Sequence, residues 1–204
     1  MNILLLGDIV GPSGRKAIIE KLPKIIEKKK IDFFIANGEN AGDMGVGITK
    51  KIFNQFIEAG ADVIQIFDSW AGLLPKKDLQ QYCFDPTLEI LQRVKKFGIP
   101  VICFPRGIKE SYSDFCSIVR PDCVSIDYTV DPSWIKEKAK GIPIQGGLDP
   151  KILLGDKEDI KKNTEKYLNI FKDYPYIFNL GHGVLPEINP ETIEYIIELV
   201  RNKK

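Results

Sequence analysis

Histidine is nearly absent from this chain: His182 stands alone among 204 residues. A metal centre that needs several imidazoles therefore cannot be assembled from one copy. An excess of charge of either sign is also lacking, since 29 Lys and Arg face 28 Asp and Glu for a net charge of +1. No global field then draws the protein to nucleic acid or to an anionic membrane. No apolar run approaches the roughly 20 residues that span a bilayer. The chain runs from Met1-Asn2 straight into Ile3-Leu4-Leu5-Leu6 and Gly7-Asp8, without the basic region and small-residue cleavage site of a secretory leader. No CxxC pair occurs among Cys83, Cys103, Cys116 and Cys123, and three of these lie in or beside apolar stretches. Buried free thiols in a reducing cytoplasm are the expectation.

What is present is a chain with 44% hydrophobic and 28% charged residues, the mix of one large globular domain or two small ones sharing a core. Seven short, nearly continuous apolar runs read as strands: Ile3 to Leu6, Asp32 to Ala36, Asp62 to Phe67, Pro100 to Phe104, Cys123 to Ile126, Pro143 to Gln145 and Tyr176 to Leu180. Continuous runs suit parallel strands buried on both faces. Helical periodicity lies between most of them, over Ala17 to Lys30, Ile48 to Ala59, Thr87 to Phe97, Glu158 to Lys172 and Pro190 to Asn202. The basic run Lys28-Lys29-Lys30 ends the first of these, where cations complement the helix dipole, and reads as a solvated helix end. The fold class is α/β, built of parallel βα units with right-handed crossovers in an open sheet or a barrel.

In such folds the loops after the strand C-termini carry the chemistry. Polar, glycine-rich clusters follow the strands here, the first two being Gly7-Asp8-Ile9-Val10-Gly11 and Asn37-Gly38-Glu39-Asn40. Two carboxylates and a carboxamide at neighbouring strand ends are hard oxygen ligands suited to a divalent cation. Together with Gly45-Val46-Gly47-Ile48-Thr49, Arg15 and Ala41, these segments make residues 1 to about 64 resemble the calcineurin-like phosphoesterases of the YmdB type. The resemblance implies Asp8, Glu39 and Asn40 as metal ligands of a phosphodiesterase. It also implies a Gly-Asn-His motif after the third strand, where Gln65-Ile66-Phe67-Asp68-Ser69-Trp70 stands instead. The metal site implied is thus incomplete.

The remaining clusters are Gln65 to Gly72, Pro100 to Phe104, Ser125-Ile126-Asp127-Tyr128-Thr129, Gln145-Gly146-Gly147-Leu148-Asp149-Pro150 and Asn179 to Pro186. In that order they resemble uroporphyrinogen decarboxylase over about residues 59–204. The resemblance implies a TIM-barrel-like fold, here seven-stranded or incomplete. It further implies a cofactor-independent carboxy-lyase that converts uroporphyrinogen III to coproporphyrinogen III, with Ser69 and His182 binding the tetrapyrrole. A hydroxyl and an imidazole can both donate hydrogen bonds to carboxylates. The family's catalytic Asp, its Arg residues and a supporting Tyr lie in an N-terminal half that has no counterpart here, so impaired catalysis is expected. Gly147 stands where the family usually has Asn, and Tyr128 where it commonly has Trp.

The two resemblances meet between Glu58 and Gln65, which divides the chain into a phosphoesterase-like segment, 1–64, and a decarboxylase-like barrel part, 65–204, within one structural domain. Plainer readings stand beside these. Asp68, Ser69 and Asp127 suit helix caps, Asp149-Pro150 suits a turn before a helix, and Trp70 and Trp134 suit packing. Three functions compete: a decarboxylase-like enzyme, a metal-dependent phosphodiesterase, and a non-catalytic chimeric chain. A homodimer that covers a gap in the barrel is the partner expected, with no nucleic acid and no membrane.

Overall fold

The computed structural model describes residues 2–45, 49–58 and 61–202. Val46, Gly47 and Ile48 of the Gly45 to Thr49 motif, and Ala59 and Gly60 near the join, lie outside the described residues. The chain divides into two compact units, Met1–Ala61 and Asp62–Lys204.

The first unit runs β1 (Ile3–Asp8), α1 (Gly11–Lys29), β2 (Phe33–Asn37) and α2 (Lys50–Glu58). β1 and β2 pair in parallel from Ile3 opposite Phe33 to Asp8 opposite Asn37. α1 starts a turn and a half before the periodic stretch because Pro12 opens it without needing a backbone N–H. It ends at Lys30, left-handed at φ 49°, whose N–H returns to the carbonyls of Glu27 and Ile26, so the basic run is a helix end. A small core joins Ile9, Ala41 and Ile52 with Ile18 and Phe56 against it.

The second unit runs β3 (Ile64–Asp68), α3 (Asp85–Lys95), β4 (Val101–Pro105), α4 (Tyr112–Ile118), β5 (Cys123–Ile126), α5 (Pro132–Lys138), β6 (Ile144–Gly146), α6 (Lys157–Ile170), β7 (Tyr176–Ile177) and α7 (Pro190–Asn202). Its five strands are all parallel and lie in chain order, β3-β4-β5-β6-β7. Seven strands of the barrel pattern are therefore present, in sheets of two and five, and among the described residues neither sheet closes. The seventh strand is shorter than its apolar run: only Tyr176–Ile177 pair regularly, and Leu180 makes an isolated bridge to Leu148. α4 and α5 escape the periodic reading because each is only seven residues long. The start of α5 is nonetheless marked, since the Asp131 side chain accepts from Trp134 N ahead of Pro132.

Burial on both faces, expected from the continuous apolar runs, holds for β4, β5 and β6. It fails in β1 and β2, where Ile3, Leu5 and Ile35 are exposed and only alternate residues of β1 are covered. In the five-stranded sheet the register places Gln65, Phe67, Ile102, Phe104, Cys123, Ser125, Gln145 and Ile177 on one face. This face is dry at its centre, with Ser125 4% and Gln145 5% exposed, and open at its margins, with Phe67 62% and Ile177 48% exposed. The two central polar side chains are joined, Gln145 Nε2 donating to Ser125 Oγ at 3.3 Å. The other face carries Val101, Cys103, Val124, Ile126 and Ile144, all buried, and makes the larger core with Leu91, Val94, Phe115, Val119 and Ile135.

All four cysteines are free and buried, as the sequence indicates. Burial, the largest influence at each site, pushes the four thiols from an ordinary 9.0 up to about 12. Tyr112 is raised well above the usual tyrosine value for the same reason, with the Asp127 carboxylate adding to it. An acid whose folded pKa lies above its unfolded one binds its proton more tightly in the native state. The stability this gives is therefore complete below pH 9 and is lost as pH rises from 9 towards 12. The urea midpoint should fall between pH 8 and pH 10.5, and the fall should be smaller in Cys103→Ala; a midpoint with the same pH dependence in both proteins would contradict the assignment.

Candidate functional site

Three loops of the second unit converge at the C-terminal ends of β3, β4 and β5. They enclose a cavity of about 200 Å3 lined by Ser69 and Trp70 after β3, Arg106 and Gly107 after β4, and Asp127, Tyr128 and Thr129 after β5. The loops are locked to one another through the backbone. Arg106 N donates to Asp68 O at 3.0 Å, and Gly72 N donates to Arg106 O at 2.8 Å. Between the two loops there is room for hydrogen alone: a Cβ on Gly72 would stand 2.7 Å from both Cα and O of Gly107.

Asp127 fastens this arrangement from beneath. Its carboxylate belongs to a residue only 1% exposed. Oδ2 accepts from Gly107 N at 2.7 Å and from the Tyr112 hydroxyl at 3.1 Å. Oδ1 accepts from Thr129 N at 2.9 Å and from the Thr129 hydroxyl. A carboxylate removed from water needs donors at both oxygens, and four are supplied here. Asp127 is thus an internal anchor of the cavity wall and not the cap of a helix, since α5 takes its cap from Asp131.

Ser69 is exposed in the wall of the cavity, and the 3-10 turn Ala71–Leu73 that follows it has Trp70 at its cap position with no side-chain cap hydrogen bond. Trp70, expected as a packing residue, is instead 73% exposed beside it. Trp134 is half-buried on α5. The Asp149 side chain accepts from Lys151 N at the start of the turn Pro150–Leu154, as Asp149-Pro150 suggests. His182 is exposed and is not part of the cavity wall. Its loop is nevertheless seated against that wall: Gly181 N donates to Leu148 O at 2.7 Å, and a Cβ on Gly181 would lie 2.4 Å from Tyr128 N. The neighbouring Gly146 and Gly147 carbonyls accept from the hydroxyls of Tyr176 at 2.8 Å and Tyr167 at 2.7 Å.

The first unit arranges its motif residues differently from a metal centre. Asn40 Nδ2 donates to Asp8 Oδ2 at 2.6 Å, so the carboxamide and the carboxylate face each other. The Asn37 side chain accepts from Glu39 N at 3.0 Å, and no hydrogen bond or ion pair joins the Glu39 carboxylate to Asp8 or Asn40 among the described residues. Arg15 donates to the Ala41 carbonyl and pairs with Asp43 at 2.6 Å. Among the described residues no three His, Cys, Asp or Glu side chains gather where a metal could sit. This donor set does not fit a two-metal centre; these residues lace the β1 and β2 loops together.

Arg106 was not among the sequence candidates, nor was the contact between Gly72 and Gly107. The signal was available in Pro105-Arg106-Gly107, a polar, glycine-containing cluster directly after β4 that follows the same strand-end rule as the others. The role of Asp127 depends on Tyr112, 15 residues away, and no local pattern announces it.

A chain of parallel βα units whose polar groups gather at the C-terminal strand ends belongs to the barrel-type α/β proteins. A methyltransferase from Methanosarcina mazei shares this fold, with a TM-score of 0.61 at 19% identity over 96% of this chain and 57% of that one. The family model described as uroporphyrinogen decarboxylase (URO-D) matches residues 43–203, and this chain belongs to that family. Uroporphyrinogen decarboxylase of Rickettsia bellii is 37% identical over 174 residues, 83% of this chain and 51% of that protein. The protein of the same name from Cereibacter sphaeroides is 40% identical over 151 residues, 72% of this chain and 44% of its own length. This chain thus spans about half the length of the curated relatives it matches. The model of YmdB-like proteins matches residues 4–78, so the two matches overlap over 43–78, a stretch that includes the boundary between the compact units. Among the described residues no helix is long and apolar enough to cross a membrane.

If Asp127 anchors the cavity, its loss leaves four donors without their acceptor, among them the buried Tyr112 hydroxyl. Asp127→Ala should then cost about 3 kcal/mol or more, and Tyr112→Phe, which removes one neutral donor, about 1 kcal/mol. Urea denaturation at pH 7 measures both, and equal losses in the two variants would refute this account.

Proposed function

We propose that this chain binds uroporphyrinogen-type tetrapyrroles through their carboxylate arms and is impaired in decarboxylating them. The observation that carries the reading is the cavity at the ends of β3, β4 and β5, with Ser69 in its wall and the His182 loop seated against Tyr128. Ser69 contributes a hydroxyl and His182 an imidazole, both able to donate to acetate or propionate groups. Family membership supports the substrate class, because the relatives that match most of this chain are uroporphyrinogen decarboxylases.

Decarboxylation leaves a carbanion-like centre that must be stabilised and then protonated. Among the described residues the one acid in the cavity wall is Asp127, and its oxygens are already committed to Gly107, Tyr112 and Thr129. It neither donates a proton nor gathers pyrrole N–H groups without dismantling the wall that it holds. The cavity is accordingly furnished for binding more fully than for turnover. This reading requires no metal or organic cofactor, takes a second copy of the chain as the one protein partner, and retains the cytoplasm as the setting.

Two measurements test the proposal. Uroporphyrin should quench the intrinsic tryptophan fluorescence of the chain with micromolar affinity, and Ser69→Ala and His182→Ala should each weaken binding about three- to tenfold, as for loss of one hydrogen bond. Uroporphyrinogen III incubated with the chain should give less carboxylated porphyrins far more slowly than with a full-length relative assayed in parallel. Absence of binding would refute the proposal, and turnover matching the full-length enzyme would refute the impairment.

A further inference from the structure

We propose that Arg106 is the residue that fixes a ligand carboxylate in the strand-end cavity, an inference that rests on the tetrapyrrole reading above for the identity of the ligand. Arg106 lies in the cavity wall and is half-buried. A guanidinium offers five N–H donors in a planar fork that matches a carboxylate in two-point contact. Among the described residues none of these donors has a hydrogen-bond or ion-pair partner within the protein, whereas Arg15 and Arg93 are both paired with carboxylates. The nearest acid in the wall, Asp127, does not neutralise it, because Asp127 is occupied by Gly107, Tyr112 and Thr129. The cavity therefore holds an uncompensated cation.

The base of that side chain is fixed. On one side the Arg106 amide is bound to Asp68 O at 3.0 Å, and on the other its carbonyl is bound to Gly72 N at 2.8 Å. The next residue, Gly107, is tied to the Asp127 carboxylate at 2.7 Å and lies so close to Gly72 that no side chain fits between them. Three strand ends thus hold the Arg106 backbone, and a long flexible side chain on a rigid base loses less freedom when a ligand engages it. Trp70, 73% exposed, and Tyr128 line the same cavity and add aromatic surface suited to the flat edge of a macrocycle. The arrangement selects for carboxylate-rich ligands: Arg106 takes one arm by charge and geometry while Ser69 serves another.

The experiment titrates the full chain, Arg106→Gln and Arg106→Lys with uroporphyrin, which has eight carboxylates, and with coproporphyrin, which has four. Binding is followed by tryptophan fluorescence at low and at high salt, and thermal unfolding checks that the variants fold. Arg106→Gln should weaken uroporphyrin at least tenfold and flatten the salt dependence, and Arg106→Lys should retain the salt dependence with intermediate affinity. Preference for uroporphyrin over coproporphyrin should shrink in Arg106→Gln. Unchanged affinity and salt dependence in Arg106→Gln would overturn the proposal while leaving tetrapyrrole binding intact. A parallel arm labels arginines with phenylglyoxal in the presence of benzene-1,3,5-tricarboxylate and reads the modified peptides by mass. Protection of Arg106 and not of Arg201 would sustain the carboxylate assignment even if no porphyrin bound, a result that would sink the tetrapyrrole reading alone. Equal labelling with and without the tricarboxylate would sink the assignment of Arg106.

Discussion

A carboxylate taken out of water must find its solvation inside the protein, and Asp127 finds it in groups from three different segments. Gly107 belongs to the loop after β4, Tyr112 to α4, and Thr129 to the turn after Asp127 itself. Each donor is drawn towards the same buried carboxyl group, whose oxygens would otherwise go unpaired. The β4 loop is therefore positioned by the Gly107 to Asp127 hydrogen bond from below and by the Gly72 contact from the side. Ser69, Arg106 and Tyr128 then lie around one cavity because their backbones are fastened to this set of bonds. A hydrophobic core alone would fix the strands but would leave the loops after them free to settle elsewhere.

The first unit shows how a motif can persist with altered physical work. Asp8, Asn37, Asn40, Arg15 and Ala41 all carry the resemblance to the YmdB-like proteins, and nearly all of them are joined by hydrogen bonds within the unit. Arg15 reaches the Ala41 carbonyl, Asn40 reaches Asp8, and Gly11 N donates to Asn40 O at 3.0 Å. These bonds hold two loops over a small core of Ile9, Ala41 and Ile52. A motif recognised by its letters thus specifies a loop geometry as well as a chemistry, and here the donors that would complete the chemistry do not gather.

The strands were the most legible part of the fold, because parallel strands buried on both sides write themselves as unbroken apolar runs, as Cys123 to Ile126 does. The long helices followed from periodicity, and Pro190–Asn202 matches its periodic stretch at both ends. α4 and α5 were hidden because two turns contain too few apolar residues to define a period. The candidate site was legible wherever its residues form a local cluster, as Ser69 does with Asp68 and Trp70. It was not legible where the determining contact spans the chain, as from Gly72 to Gly107 or from Tyr112 to Asp127. The exposure of Ile3, Leu5 and Ile35 is not legible in their apolar runs, since such a run records what a residue can tolerate and not how many layers cover it.

The four sealed thiols carry a consequence for how long such a chain survives. A buried, protonated sulfur is a poor nucleophile towards peroxide or a disulfide, so the native chain is shielded from oxidants that would attack an exposed thiolate. Opening of the second unit removes the shield from Cys83, Cys103, Cys116 and Cys123 together. A sulfinic or sulfonic group formed during such an opening cannot re-enter the space its thiol left, because the oxygens would need solvation where none is provided. Oxidation then acts as a ratchet: each brief excursion is reversible in a reducing medium and becomes permanent in an oxidising one, so the lifetime of the folded chain depends on the redox state around it.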